Sequence, residues 1–237
     1  MIHLLLLFIF FTNIYATAEN ERLTITLNNT NLITIKGVIN TNTASKFLYD
    51  LNQRDSKNDI IVYLDTPGGD VIAGASIIDE IQKYNLTCFA QQAISMGFII
   101  FQSCNIRYIN NFSVLMQHQM TYGIQNEKLK VENYVHFISQ IYDYLEKIQT
   151  NRLNIDNLTF QLNTANEWWL YGTNIIQHNC ADQIINIKCS SALTNETYTE
   201  ETNSYIYTYS NCPLITSYIH KKKIKNNDIS NDYILYI

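Results

Sequence analysis

The sequence predicts an α/β domain with crossover connections around a covered, mostly parallel sheet, and three observations carry that expectation. Strand-like apolar segments alternate with helical ones along most of the chain. One of these strands, "DIIVYLD" at 59–65, is apolar almost throughout, the mark of a strand buried on both faces. It runs directly into Pro67-Gly68-Gly69, although the 237 residues contain only 7 Gly and 2 Pro. Concentrating three of these scarce residues in one turn marks a place where something approaches the backbone closely.

Taken in order, Leu23 to Leu27 and Leu32 to Ile39 alternate apolar and polar side chains and read as two half-buried strands, a strand pair. A helix follows behind a Thr or Asn cap, with Ala44, Phe47, Leu48 and Leu51 on one face. After the Gly-Gly turn, apolar residues from Val71 to Tyr84 recur at helical spacing. "LTCFA" is a strand, "SMGFIIFQSC" a helix, and "IRYI" and "SVLMQ" are further strands. Asn126 to Arg152 is one long helix, and "EWWLYGTNIIQHNCADQII" closes the domain with a short helix and a strand. Beyond Ile187 periodicity is lost, so residues 188–237 read as an irregular C-terminal tail on a domain spanning 19–187.

The N-terminus carries an apolar run from Leu4 to Phe11 and then Ala16-Thr17-Ala18, a signal peptide pattern with cleavage before Glu19. This directs the protein to the secretory pathway, lumenal or secreted. The alternative is a membrane anchor through an uncleaved N-terminus, although the run is far shorter than the ~20 apolar residues that span a bilayer. Later segments contain no such run, so no stable membrane span is expected after signal removal.

A net charge of −5 supplies no basic field for nucleic acid. Five cysteines follow no zinc-ligand spacing, and neither metal nor cofactor is expected. In an oxidising lumen Cys180, Cys189 and Cys212 can include a disulfide, with the pair left open, whereas Cys88 and Cys104 sit in apolar runs and read equally as small buried hydrophobes.

A Gly-rich turn between strand and helix presents backbone N–H groups to an anion, which suits either a phosphate or an oxyanion. Neither nucleotide-binding glycine pattern is present. Ser95 begins a helix after a strand, with Ala93 and Gly97 beside it, and His118 ends a strand. By residue type alone the first is equally a helix cap and the second a strand-end histidine.

The stretches "LDTPGGDVIAG", "QAISMGF" and "SVLMQHQ" together resemble, in order and spacing, the proteolytic subunit of Clp protease within the Clp-protease/crotonase superfamily, over about Ile33 to Ile187. The resemblance implies stacked ββα repeats with a curved, mostly parallel sheet. It also implies a serine endopeptidase with Ser95 as nucleophile, His118 as base, and Gly69 and Met96 as oxyanion-hole donors. The partners implied are a polypeptide substrate and sibling subunits in a homo-oligomeric ring; dependence on an ATP-driven unfoldase does not follow for a lumenal protein. Aligned without gaps, Asn163 takes the place of the triad aspartate, with Asp156 as the alternative third member. Gln91 stands where the family has glycine, and only Gly123 remains of its glycine-rich substrate-binding strand, so substrate preference does not transfer. A catalytically weak or inactive relative, acting as an assembly or peptide-binding module, is the second reading.

Overall fold

A computed structural model describes residues 22–224; the expected signal peptide lies outside them. The chain runs β1 (Thr24–Leu27), β2 (Leu32–Lys36), α1 (Thr41–Asn52), β3 (Ile61–Thr66), α2 (Val71–Lys83), β4 (Thr87–Ile94), α3 (Met96–Gln102) and β5 (Ile106–Gln117). It continues through α4 (Lys128–Leu153), α5 (Asn157–Thr164), β6 (Trp168–Tyr171), α6 (Thr173–Gln177), β7 (Gln183–Ile184) and β8 (Asn186–Cys189). The last elements are α7 (Ser191–Asn195), β9 (Thr197–Glu201), β10 (Tyr205–Ser210) and β11 (His220–Lys223). Among the described residues no helix is long and apolar enough to cross a membrane.

Strands β2, β3, β4 and β5 are parallel neighbours in that order, each joined to the next through one of α1, α2 and α3. This is the mostly parallel α/β sheet expected from the alternating pattern. β6 adds an antiparallel edge along the second half of β5, and β7 pairs with its first half. Both faces are covered, which is why "DIIVYLD" is apolar between its two aspartates. Val62, Leu64, Cys88 and Ala90 join the core under the helices, while Ile61, Tyr63 and Phe89 join a second cluster with Leu27, Ile185 and Leu193.

That second cluster accounts for two departures from the sequence reading. β1 does not pair with β2; it runs parallel to β8, and the two together lie across the back of the sheet. Residues beyond 187, expected to be irregular, carry α7 and an antiparallel sheet in the order β11-β10-β9. Leu193 and Leu214 pack on the exposed back of β2 and β3, and apolar burial of this kind orders a segment that lacks periodicity. Cys189 and Cys212 are disulfide-bonded, closing a loop of separation 23 for which chain entropy alone contributes about 3 kcal/mol. Cys88 and Cys104, read equally as free apolar residues, form the other disulfide, and the buried Cys180 is free.

"IRYI" and "SVLMQ" are one strand, not two. The register between β4 and β5 slips by three residues, from Ala90 opposite Ile109 to Gln92 opposite Val114. Asn110 closes the extruded turn by accepting from Phe112 N–H, and Ser113 Oγ donates to Ala90 O at 2.6 Å.

Arg107 on β5 is 1% exposed and anchors the far end of the sheet. Its guanidinium donates to Asp182 at 2.6 and 3.2 Å and to Asn179 O at 3.0 Å, while Arg152 at the end of α4 reaches Asp182 at 2.9 Å. Burial pushes the Asp182 carboxyl up, but the hydrogen bonds and charge of Arg107, with Arg152, outweigh it and hold it below its ordinary value. A depressed carboxyl stabilises the fold above the unfolded value of ~3.9 and loses that contribution as pH falls through the folded value. Asp182→Asn is expected to cost about 2–3 kcal/mol, less than the ~3–5 kcal/mol of a fully buried pair because the carboxylate is partly solvated. Thermal melts at pH 7 and pH 3 check this: the gap between wild type and variant should shrink at the lower pH.

Candidate active site

Three loops at the C-terminal ends of parallel strands meet here. The first, Thr66 to Asp70, is held from both sides. Thr66 Oγ1 donates to Gly37 O at 2.7 Å and accepts from Gly68 N–H at 3.0 Å. Ile39 N–H donates to Gly68 O, and Asp70 N–H donates to Ile39 O, both at 2.8 Å. Asp70 then caps α2 by accepting from Ala73 N–H. Gly68 and Gly69 have φ of +90° and +146°, a region closed to most side chains. A Cβ on Gly68 would lie 2.6 Å from Ile94 O and 2.8 Å from Ser95 Cβ, and one on Gly69 would lie 2.2 Å from Ile39 O.

The second loop is the single residue Ser95, between β4 and α3. Its φ is +55° and ψ −119°, a strained conformation costing on the order of 1–3 kcal/mol for a non-glycine residue. Its N–H donates to Met116 O at 2.8 Å, and its carbonyl accepts from Phe98 and Ile99. This sharp bend turns Oγ outward while the N-terminus of α3 opens beside it. Gly97 lets α3 sit on Thr66, where a Cβ would lie 2.6 Å from the methyl group.

The third loop starts at His118, one residue past β5, whose N–H donates to Gln117 Oε1 at 3.0 Å. His118 Nε2 lies 2.9 Å from Ser95 Oγ. Among the described residues, neither Gly69 N–H nor Met96 N–H donates to a protein acceptor. All four residues line one cavity of about 120 Å³, closed on the far side by Tyr142, Leu145, Glu146 and Gln149 of α4 and by Phe160 of α5. A larger cleft of about 770 Å³ lies between α1 and the C-terminal segment and shares no residue with this one.

The two expected third members are elsewhere. Asp156 is exposed and occupied as the N-cap of α5, accepting from Thr159 N–H at 2.9 Å and Thr159 Oγ1 at 2.8 Å. Those bonds, the backbone one foremost, hold its carboxyl below the ordinary range. Asn163 is half-buried near the end of α5, does not line the cavity, and makes no hydrogen bond to His118 among the described residues. Helix α5 lies in a stretch between the long helix and "EWWLY" for which the sequence predicts no element.

Two acids that sequence reasoning passed over are placed near the site. Gln117 pairs with Trp168 at the end of the antiparallel register of β5 and β6, and His118 and Glu167 are the next residue of each chain segment beyond that pair. Glu167 has φ of +63° and accepts from Trp169 Nε1 at 3.0 Å. Glu146 is 4% exposed in the cavity wall. For Glu167, antiparallel pairing of "EWWLY" with "SVLMQ" was the available signal, and nothing in either segment announces direction.

A serine hydroxyl against an imidazole, with two free backbone N–H groups at the same cavity, is an arrangement suited to acyl transfer. The ATP-dependent Clp protease proteolytic subunit 1 of Borreliella burgdorferi is 25% identical over 162 residues, covering 65% of this chain and 84% of that protein. The proteolytic subunits of Borreliella afzelii and Borrelia garinii are 24% and 26% identical over the same length. The family model for Clp protease matches residues 17–188, and on that match, spanning the whole sheet and its three loops, the chain belongs to the Clp protease family.

Proposed function

We propose that the protein is a serine endopeptidase that cleaves unfolded or small polypeptides through an acyl-enzyme at Ser95. The observation carrying this reading is the 2.9 Å approach of His118 Nε2 to Ser95 Oγ beside the Gly69 and Met96 N–H groups. Ser95 Oγ attacks the peptide carbonyl carbon as its proton passes to His118, and the carbonyl oxygen becomes an oxyanion between the two N–H groups. His118 returns the proton to the departing amine; water then attacks the acyl-serine with His118 again as base, releasing the carboxylic acid and restoring the serine.

The positioning acid in this reading is Glu167 rather than Asn163. Support comes from its place, like that of His118, one residue beyond the last pair of β5 and β6, and engagement requires the carboxylate to leave Trp169 Nε1 for His118 Nδ1. The pseudoenzyme reading draws on the same fact: in the described arrangement no carboxylate is bonded to His118.

Apolar side chains left on the surface favour a ring of subunits. Leu129 and Phe137 on α4 are 71% and 50% exposed, and Leu158 and Leu162 on α5 are 66% and 68% exposed. The two disulfides suit the oxidising lumen of the secretory pathway, in line with the N-terminal signal pattern.

Purified residues 19–237 should be labelled at one site by a fluorophosphonate, with Ser95→Ala and His118→Ala each abolishing labelling and lowering peptide hydrolysis by at least ~10⁴-fold. A folded protein that resists the probe would establish the pseudoenzyme instead. Glu167→Gln should slow hydrolysis by ~10²–10⁴-fold and move the acid limb of the pH–rate profile downward, while Asn163→Asp leaves both unchanged. The opposite pattern would return the role to Asn163. Light scattering on the same protein should give a mass several times that of the subunit, and a monomer would remove the ring.

A further inference from the structure

The wall opposite Ser95 contains a charge that the acyl-transfer chemistry does not use. Glu146 is 4% exposed and, among the described residues, is the only carboxylate lining the cavity. Around it the lining is largely apolar, from Met96, Ile99, Met120, Leu145 and Phe160. Its hydrogen-bond partners are neutral: Gln161 Nε2 donates to the two carboxylate oxygens at 3.1 and 3.4 Å, and the Tyr142 hydroxyl lies beside it. Burial and the adjacent Glu146 carboxylate push the Tyr142 hydroxyl up to about 12, so that neighbour stays protonated and neutral as well. Among the described residues no lysine, arginine or histidine forms an ion pair with Glu146.

A carboxylate removed from water without a cation is costly, and structural carboxylates at such depth are ordinarily matched by one. The carboxylate engaged by buried and half-buried cations makes the contrast within this chain: Asp182 collects two arginines. Glu146 instead lines the cavity that Ser95 and His118 share.

We infer that Glu146 is the base of the primary specificity pocket and selects a lysine or arginine side chain on the residue whose carbonyl Ser95 attacks. The aliphatic stem of such a side chain would lie along Met96, Ile99 and Leu145, and its cationic end would complete the carboxylate's partners. The pocket thus offers both an apolar path and a terminal charge, which a leucine or phenylalanine side chain fills only in part. This inference rests on the nucleophile reading, and the test separates the two.

Two peptide diphenyl phosphonates identical except for lysine or leucine at the residue bearing the phosphorus are reacted with residues 19–237, and modification of Ser95 is followed by mass spectrometry. The lysine probe should react at least about tenfold faster, the low end of what a close charge pair contributes across an interface. Glu146→Gln, which keeps the size and the hydrogen bond to Gln161, should remove that advantage, and Glu146→Leu should reverse it in favour of leucine. Equal rates, or a faster leucine probe, on wild type would overturn the pocket assignment while leaving Ser95 as nucleophile. A folded protein that neither phosphonate nor the small fluorophosphonate modifies overturns the nucleophile reading and the pocket with it. If both Glu146 variants keep the wild-type preference, the cation is selected elsewhere and the assignment also fails.

Discussion

The architecture of the site depends on one close backbone contact, that of Gly68 against Ser95. Two strand ends carrying different chemistry come so near that a single methyl group at residue 68 would overlap Ile94 O, Ser95 Cβ and Met96 N. The contact is clamped rather than merely allowed, because Gly68 O is taken by Ile39 and its N–H by Thr66. Thr66 in turn reaches Gly37, and Asp70 starts α2, so the turn is tied to three neighbouring segments at once. Interactions of this kind hold donors in place before a reaction begins, and such preorganisation is where most electrostatic stabilisation of an oxyanion arises.

The long helix α4 serves two regions of space. Its C-terminal half presents Tyr142, Leu145, Glu146 and Gln149, at spacings of three, one and three, to the cavity. Its N-terminal half leaves Leu129, Tyr134 and Phe137 exposed. Gln149 also meets Gln117, the residue before His118, which links the helix to His118 through a buried amide pair. Anything that repositions the outer half of α4 therefore acts on the same rigid rod that closes the reaction space.

Much of this was legible in the sequence because the relevant signals are local. The double-faced apolar run of β3, the Asn-capped α1 and the Gly-Gly turn each state their structure within a dozen residues. Ser95 and His118 were found because their motifs are short and contiguous. What escaped depends on long-range partnership. β1 prefers β8, 162 residues away, over β2, and only the uncovered back of the sheet explains the choice. Cys88 and Cys104 looked apolar since both are fully buried even as a disulfide. Asn163 was placed by an ungapped alignment through a stretch that folds as α5, and the antiparallel pairing of β6 with β5 that brings Glu167 to the end of the strand pair is encoded in no single segment.

The two disulfides have a further property that concerns assembly of the chain rather than its finished form. One closes residues 88–104 and the other 189–212, so the loops are neither nested nor interlocked, and the unpaired Cys180 lies between them. Each pair joins nearest cysteines in the chain, apart from the omission of Cys180, and each loop is short enough to close with modest entropic cost. The first bond can form once residue 104 has emerged, before α4 or the C-terminal sheet exists, and it encircles the Ser95 bend. The strained corner at Ser95 is thus enclosed in a covalent ring of its own while His118, its neighbour in the finished fold, is still to be laid down.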